Sequence, residues 1–482
     1  MRAAALAVLS GVLYFSSYTG FDLWPLTWVA FVPVVIAIDG GSGRRGFLLG
    51  WLFGAVMHLG GFTWVSHMLA TFGGLPEPLA FVGYVLFCIG HGLVYAVFGG
   101  FVARLSRFPL WATVPLSIVA AEQLVPRVFR HYTAAAQLPW LEVVQITEVG
   151  GIHAVGALVG LVNGALATLW LRRGRLPLLA AAATVALCAG WGSWRMAEVA
   201  DDPGDTLLVG VAQNNRGGWD KHRHPLEAVQ ELQVQTSELA AQGAELVVWP
   251  EAAWSQPIPH DAAQMPQAVV GDAGVPLVVG ALSRESRHTP IANTALLVDE
   301  HRRILGSYEK RALLIFGEYL PFGDVFPKLY DLVPTSRLLR GTSTASLVLD
   351  GHKLGVFICY EAILPEYVHD IMRDPSGPPD LLVNLTNDSW YGQGPEQVQH
   401  LALARLRSVE LRRALVRSTN TGISAIVDAT GALVAETENW AADTALAPVT
   451  LRSDLTLALR LGAWPGWLAV FLALVGSVRR RS

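Results

Sequence analysis

The sequence predicts a polytopic α-helical membrane domain of eight transmembrane helices joined to an extramembrane α/β domain. Three observations predict it. The 482-residue chain is 52% hydrophobic and 15% charged, and its mean hydropathy of +0.39 is unusual for a soluble protein. Acids and lysines are nearly absent before about residue 200 and after about residue 460, whereas the middle has ordinary soluble composition. From Thr206 the pattern changes to short strand-like runs alternating with amphipathic stretches.

A membrane span needs about 20 mostly apolar residues. Candidate spans run roughly over 3–18, 23–38, 46–65, 79–102, 110–125, 152–171, 176–194 and 459–478. Arg2 before a short apolar core suggests a cleavable leader, but no convincing small-residue cleavage site follows, and further apolar segments come directly after it. Arginine placement supplies the orientation. Arg2 precedes the first span, and Arg44 and Arg45 lie between the second and third. Arg104 and Arg107 follow the fourth, Arg172, Arg173 and Arg175 the sixth, and Arg479, Arg480 and Arg481 the eighth. These are alternate loops, as the positive-inside rule requires if both termini are cytoplasmic. Arg127 and Arg130 are the exceptions. Eight buried helices of a soluble protein would have no reason to sort arginines by loop parity.

The expected organisation is therefore a membrane domain of seven helices over 1–196, an extramembrane domain over 197–456, and a last transmembrane helix with a cytoplasmic tail over 457–482. In a bacterium the middle domain then lies in the periplasm, outside the inner membrane, where there is no ATP or NAD pool. Its chemistry has to run on lipids, peptides and envelope precursors, and no cofactor is expected. A net charge of −4 gives no reason to expect nucleic-acid binding. Three cysteines, two of them in apolar segments, build no disulfide framework.

Within the middle domain, strands are predicted over 207–213, 246–251, 276–282, 294–298, 354–359, 380–388 and 422–428, with helices over 225–241 and 397–413. Near-continuous apolar strands alternating with helices imply sheets covered by helices, with functional groups at the strand ends. Three ends carry ionisable residues: Glu251 closes WPE, Lys310 closes RILGSYEK, and Cys359 closes GVFIC. Each alone has a plain explanation: a helix cap, a solvated lysine, an inert small hydrophobe. Together they form an acyl-transfer set. A thiol with a pKa near 8.5 is only a few per cent thiolate at pH 7. A glutamate takes its proton during attack, and an ammonium stabilises the oxyanion that forms. A metal site is the weaker reading, since there is no CxxC, and His222 and His224 have no further ligand at typical spacing.

WPE, then EK at 309–310, then CYE at 359–361 resemble the nitrilase (carbon–nitrogen hydrolase) superfamily. KRALLIFGEYLPF (310–322), NLTNDSWYG (384–392) and QHLALARLRSVELRRALVRSTNTGISAIVD (399–428) are similar to its membrane-embedded branch, the apolipoprotein N-acyltransferases. The resemblance covers essentially the whole chain and is strongest from about 245 to 430. It implies a nitrilase-like αββα sandwich in which Cys359 is the nucleophile, Glu251 the general base and Lys310 the electrostatic stabiliser. It further implies that Glu318, Tyr360 and Glu361 support the active site and that Trp219 lies on a substrate-binding loop. Asn387, Asp388 and His400 are expected to fix loops around the site. Two departures stand out. The family's Gln-Gly-Asn run after the first strand is QNN here, at Gln213, Asn214 and Asn215. Its Phe-Pro-Trp run in the third outer loop is replaced within VFRHYTAAAQLPW (128–140), a loop expected to face acyl chains.

The activity so implied moves an acyl chain from a phospholipid, through a Cys359 thioester, to the α-amine of the diacylglyceryl-cysteine of an apolipoprotein. The residues alone say less: a thiol-dependent acyl transfer beside a membrane, with residues 320–339 as a candidate lid. A membrane-tethered nitrilase-type amidase using water as acceptor needs the same triad but only one anchor. A transporter or sensor would place ionisable residues within the spans. The few present, Glu122, His58, His67, His91 and His153, form no obvious relay.

Overall fold

The computed structural model describes residues 1–478 apart from 203 and 333–335. Arg479, Arg480 and Arg481, and part of the candidate lid, lie outside the described residues. Every predicted span is helical, but the helices differ in reach. Glu77–Arg104, His153–Trp170 and Leu176–Ala200 are long and apolar enough to cross a membrane. Gly43–Gly61 and Trp64–Thr71 form a fourth span only as a pair, bent by 64° where one continuous helix was expected. Arg2–Ser17, Trp24–Ile38, Leu110–Leu124 and Trp464–Ser477 are apolar but shorter. At 1.5 Å per residue, a helix of 16 residues such as Arg2–Ser17 falls short of the ~30 Å hydrocarbon core.

The helices pack through small residues. A Cβ added to Gly46 would lie 2.2 Å from the Gly99 carbonyl oxygen, and one on Gly50 would lie 2.0 Å from that of Tyr95. Glycine is what lets Gly43–Gly61 touch Leu93–Arg104 backbone to backbone. The arginine-bearing loops gather at one end of the bundle, where Arg173 pairs with Asp39 at 2.7 Å and Gly43 abuts Arg104. The α/β domain sits at the other end. Arg130 reaches it through a bidentate pair with Glu366 (2.8 and 2.6 Å), while Arg127 donates to the carbonyls of Glu122 and His131 at 2.7 and 2.6 Å. The two arginines that break the sorting pattern are thus bonded within the protein.

The α/β domain contains two sheets face to face. In the first, the strand order is Asp443–Thr450, Thr206–Gln213, Leu246–Val248, Leu277–Arg284, Ile291–Val298, Ile304–Glu309, with Trp254–Pro259 and Leu338–Leu339 pairing alongside. In the second it is Leu433–Glu436, Ala425–Val427, Leu415–Thr419, Leu381–Thr386, His352–Ile358, Leu347–Leu349. Central strands are parallel and outer pairs antiparallel. Side chains alternate between two cores, as the period of two demands. Val209, Val211 and Val248 pack between the sheets with Val356, Leu382 and Val416. Ala212, Val247 and Trp249 face outward onto Val229, Leu232 and Leu239 of the helix Pro225–Ala241. This is the nitrilase-like sandwich. Six strands were not expected from the sequence (254–259, 338–339, 347–349, 415–419, 433–436 and 443–450). Leu415–Thr419 is fully buried but carries Arg417, Ser418 and Thr419, so it does not read as an apolar run; the others are short, contain proline or have exposed faces.

Candidate active site

Glu251, Lys310 and Cys359 are carried on turns after three different strands, and all three are buried (5%, 1% and 4% exposed). The turn at Glu251 depends on Gly280 in the neighbouring strand, where a Cβ would lie 2.0 Å from the Pro250 carbonyl oxygen. Lys310 Nζ donates to Glu318 Oε1 at 2.7 Å and to Glu251 Oε1 at 3.2 Å. Asn293 Nδ2 also donates to Glu251 Oε1, at 2.6 Å. Among the described residues, the buried Glu251 Oε2 has no hydrogen-bond partner. Burial alone would lower the Lys310 pKa, but the carboxylates of Glu251 and Glu318 outweigh it and hold the ammonium well above the usual lysine range. The site therefore keeps a permanent cation.

Cys359 begins a short 3-10 turn after its strand and adopts φ +50°, a left-handed conformation that costs a non-glycine residue about 1–2 kcal/mol. Two sets of bonds hold it there. Glu361 Oε1 accepts from the backbone N–H groups of Arg311 (2.6 Å) and Ala312 (2.9 Å), and its Oε2 from Ile358 N–H (2.7 Å) and Tyr308 Oη (2.9 Å). One carboxylate thus clamps the lysine turn to the cysteine turn. On the other side His400 Nε2 bonds the Cys359 carbonyl (3.2 Å), while its Nδ1 bonds Asp388 Oδ1 (3.0 Å) and Arg417 holds Asp388 Oδ2 (2.8 Å). Burial, reinforced by the Glu251 carboxylate, pushes the Cys359 thiol well above the ordinary cysteine range against the pull of Lys310. At rest it is a thiol, so nucleophilic attack requires a base to accept its proton during the step.

Trp219 and Tyr360 occupy the rim. Trp219 is 58% exposed and stacks on Phe72 of the helical domain, with ring centroids 6.2 Å apart. Tyr360 Oη donates to the Val128 carbonyl across the domain boundary at 2.5 Å. Apolar packing is continuous there: Ala312, Leu314, Ile363 and Leu364, from the segments after Lys310 and Cys359, share one core with Phe62, Trp64 and Phe129. The departures fit their places. Asn214, where glycine was expected, is not in the left-handed region, and its side chain donates to the Ala228 carbonyl (2.9 Å). Phe129 of the altered outer loop stands edge-on to Trp64 and Tyr360.

Sequence reasoning missed three residues that touch Glu251: Asn293, Lys221 and Asn420, whose amide donates to the Glu251 carbonyl at 3.2 Å. Asn293 lies inside a strand that was recognised only from Thr294 onward. Lys221 is 2% exposed on the short helix Gly218–Arg223, and its Nζ donates to the Glu251 carbonyl at 2.8 Å. The Asn420 amide oxygen, oriented toward it, accepts from the same ammonium at 3.0 Å. No carboxylate pairs with Lys221 among the described residues, and burial lowers its pKa to about 8 despite Glu251 and Cys359 nearby. Asp388, Glu396 and His400 bring three donor atoms within 4.8 Å, a spacing seen in metal sites. Arg417 already neutralises Asp388, so the group fits an ion-pair cluster better than a cation site.

Residues 10–165 match the apolipoprotein N-acyltransferase N-terminal domain family, and residues 208–453 match the carbon-nitrogen hydrolase family. An apolipoprotein N-acyltransferase of Bdellovibrio bacteriovorus is 30% identical over 98% of this chain and 93% of that protein. Proteins of the same description from Geobacter metallireducens (28% identical, 89% of this chain and 86% of that one) and Photobacterium profundum (28%, 99% and 95%) are also similar. Among solved structures, an amidase from Nesterenkonia sp. aligns with 52% of this chain and 92% of its own, at 20% identity and a TM-score of 0.40.

Proposed function

Given that the chain belongs to the apolipoprotein N-acyltransferase family, we propose that it transfers a fatty acyl chain from a phospholipid to the α-amine of a diacylglyceryl-cysteine, through a thioester on Cys359. The observation that carries this reading is the buried meeting of Glu251, Lys310 and Cys359 where the α/β domain meets the apolar helices. In the first half-reaction Cys359 Sγ attacks the ester carbonyl while Glu251 Oε2 takes the thiol proton. The oxyanion faces the Lys310 ammonium, which Glu318 holds in place. Collapse breaks the ester C–O bond, and the proton on Glu251 passes to the departing lysophospholipid oxygen. In the second half-reaction the neutral amine attacks the thioester carbonyl and gives its surplus proton to Glu251. The C–S bond then breaks and the thiolate recovers that proton.

The four shorter apolar helices are spans on this reading, making eight, with residues 197–456 in the periplasm and both termini cytoplasmic. Sorting of the basic loops to the end opposite the α/β domain supports that orientation. An apolar slot lined by Phe62, Trp64, Phe129, Tyr360, Tyr391 and Leu403 adjoins Cys359 through its chain neighbour Tyr360. At ≈ 30 Å³ it admits an acyl chain only after its walls move. The test is to incubate the purified protein in detergent with acyl-labelled phospholipid. Hydroxylamine-sensitive label should appear on wild type and not on Cys359→Ala, and a diacylated lipopeptide should discharge it. Equal label on the variant defeats the mechanism, and discharge by water alone indicates the amidase.

A further inference from the structure

A second cavity, open and mixed in character, lies against the same turns. It measures ≈ 370 Å³, with Arg127, Arg130 and Arg340 on its walls together with Tyr319, Tyr360 and Glu366. Its position is tied to the catalytic turns through their chain neighbours. Tyr360 follows Cys359, and Tyr319 follows Glu318. Arg340 precedes Gly341, whose N–H donates to the Lys310 carbonyl at 2.9 Å. That contact needs glycine: a Cβ at Gly341 would lie 2.2 Å from the Glu309 carbonyl oxygen. Arg340 is thereby anchored at its backbone while its guanidinium lies over the Tyr319 ring, 5.5 Å from the centroid.

The charges do not balance. Among the described residues Glu366 is the only acid on these walls, and it is committed to Arg130 by two hydrogen bonds. Arg127 is buried and spends its two terminal nitrogens on backbone carbonyls, and its Nε has no hydrogen-bond partner among the described residues. Among the described residues neither Arg127 nor Arg340 has a carboxylate within ion-pair distance. Among the described residues the Arg340 guanidinium therefore faces the cleft without a carboxylate partner, and Arg127, with the buried Glu122 in electrostatic reach, adds positive charge to the wall, over a floor that includes Ala312, Leu313 and Leu364. Guanidinium is the side chain suited to planar, two-point recognition of a phosphate, and apolar walls strengthen such a contact.

We propose that this cleft is the subsite for the phosphodiester of the donor lipid's headgroup, with Arg340 as its principal contact and Arg127 supplying potential from the wall. The assignment rests on the acyl-transfer reading above. A glycerophospholipid with its phosphate in the cleft and an acyl chain in the apolar slot has its ester between them, beside Tyr360, the residue that follows Cys359 in the chain. The two sites share Arg130 and Tyr360, which makes that boundary the place where polar head and apolar tail part company.

The test compares two donors with the same acyl chains in mixed micelles with the full-length protein: phosphatidylglycerol, and diacylglycerol, which lacks the phosphate. The readout is the mass shift of Cys359 acylation. Wild type should prefer the phospholipid, and Arg340→Gln should cut that preference about tenfold through the KM of the phospholipid, with Arg340→Lys between them. Inorganic phosphate at the lipid's concentration should not compete. Competition as strong as the lipid's own makes the cleft a free-anion site and overturns the headgroup assignment. So does a preference that Arg340→Gln leaves unchanged, or an equal loss with both donors. Acylation of wild type by both donors at equal rates sinks the subsite and leaves the acyl-transfer reading standing. Acylation by neither sinks both.

Discussion

Two buried acid–base clusters flank Cys359, one at the ends of each sheet, and they are wired differently. In the Asp388–His400–Arg417 cluster both oxygens of the central carboxylate are engaged, and burial, which alone would raise its pKa, is outweighed by Arg417 and His400. In the Glu251–Lys310–Glu318 cluster one ammonium serves two carboxylates, and among the described residues Glu251 Oε2 is left without a bond. A buried charge costs several kcal/mol unless its bonds are complete. The first cluster, whose central carboxylate is bonded at both oxygens although Arg417 Nε has no partner among the described residues, behaves as scaffold and holds the Cys359 carbonyl. The second keeps a vacant acceptor, Glu251 Oε2, which is the proton acceptor in the mechanism proposed above.

That contrast can be broken most forcefully at Glu251. Glu251→Gln should lower the rate of Cys359 acylation by about 10³–10⁴ while the protein remains folded. Acylation within tenfold of wild type would show that the vacant oxygen is not the proton acceptor. Asp388→Asn should do the reverse, costing about 3–5 kcal/mol in denaturant unfolding because it strands the buried Arg417 guanidinium. A loss below about 1 kcal/mol would remove the distinction between scaffold and chemistry.

Lys221 sharpens it. Its folded pKa of about 8 lies below the unfolded value of 10.5, so between those values the unfolded chain binds more protons and stability rises with pH. Below pH 8 the buried charge is a net cost. Wild-type stability should therefore rise by about 3 kcal/mol relative to Lys221→Met between pH 8 and 10.5, whatever the constant cost of the two hydrogen bonds that Met removes. A denaturant-unfolding series against pH reads this directly, and a difference between the two proteins that does not change with pH would contradict the titration. The smallest effect is expected at Trp219. Its exposed stack on Phe72 is worth about 0.5–1.5 kcal/mol, and Trp219→Ala should leave Cys359 acylation within about tenfold. A collapse of acylation in that variant would move Trp219 from the rim into the chemistry.

Much of the fold was legible because its signals are local. The helix predicted over 225–241 is observed as Pro225–Ala241, and that over 397–413 as Glu396–Leu411. The strands leading to Glu251 and Cys359 announced themselves as apolar runs ending in a polar residue. What was not legible lacked such a signal. Lys221 sits in GWDKHR, a charged stretch that reads as solvated, and buried lysines are rare. A polar Asn293 flanked by buried Ala292 and Thr294 was the one clue to a strand with an inward amide. Helix lengths also differed from expectation, because hydropathy marks where a segment is apolar and not where its axis bends, as it does between Gly61 and Trp64.

By itself the sequence determined which segments are apolar enough to leave water, which apolar runs become strands, and which reactive residues stand at strand ends. These follow from side-chain periodicity and transfer free energy, both properties of short stretches. The tertiary structure alone decided that Glu251, Lys310 and Cys359, spread over 109 positions of chain, lie buried within electrostatic reach of one another. It also decided that Asn293, Lys221, Glu361 and His400 hold them there, and that a cationic cleft adjoins the apolar slot at Tyr360. The physical reason is that sheet order and register set the distances between remote residues, and no local preference encodes either.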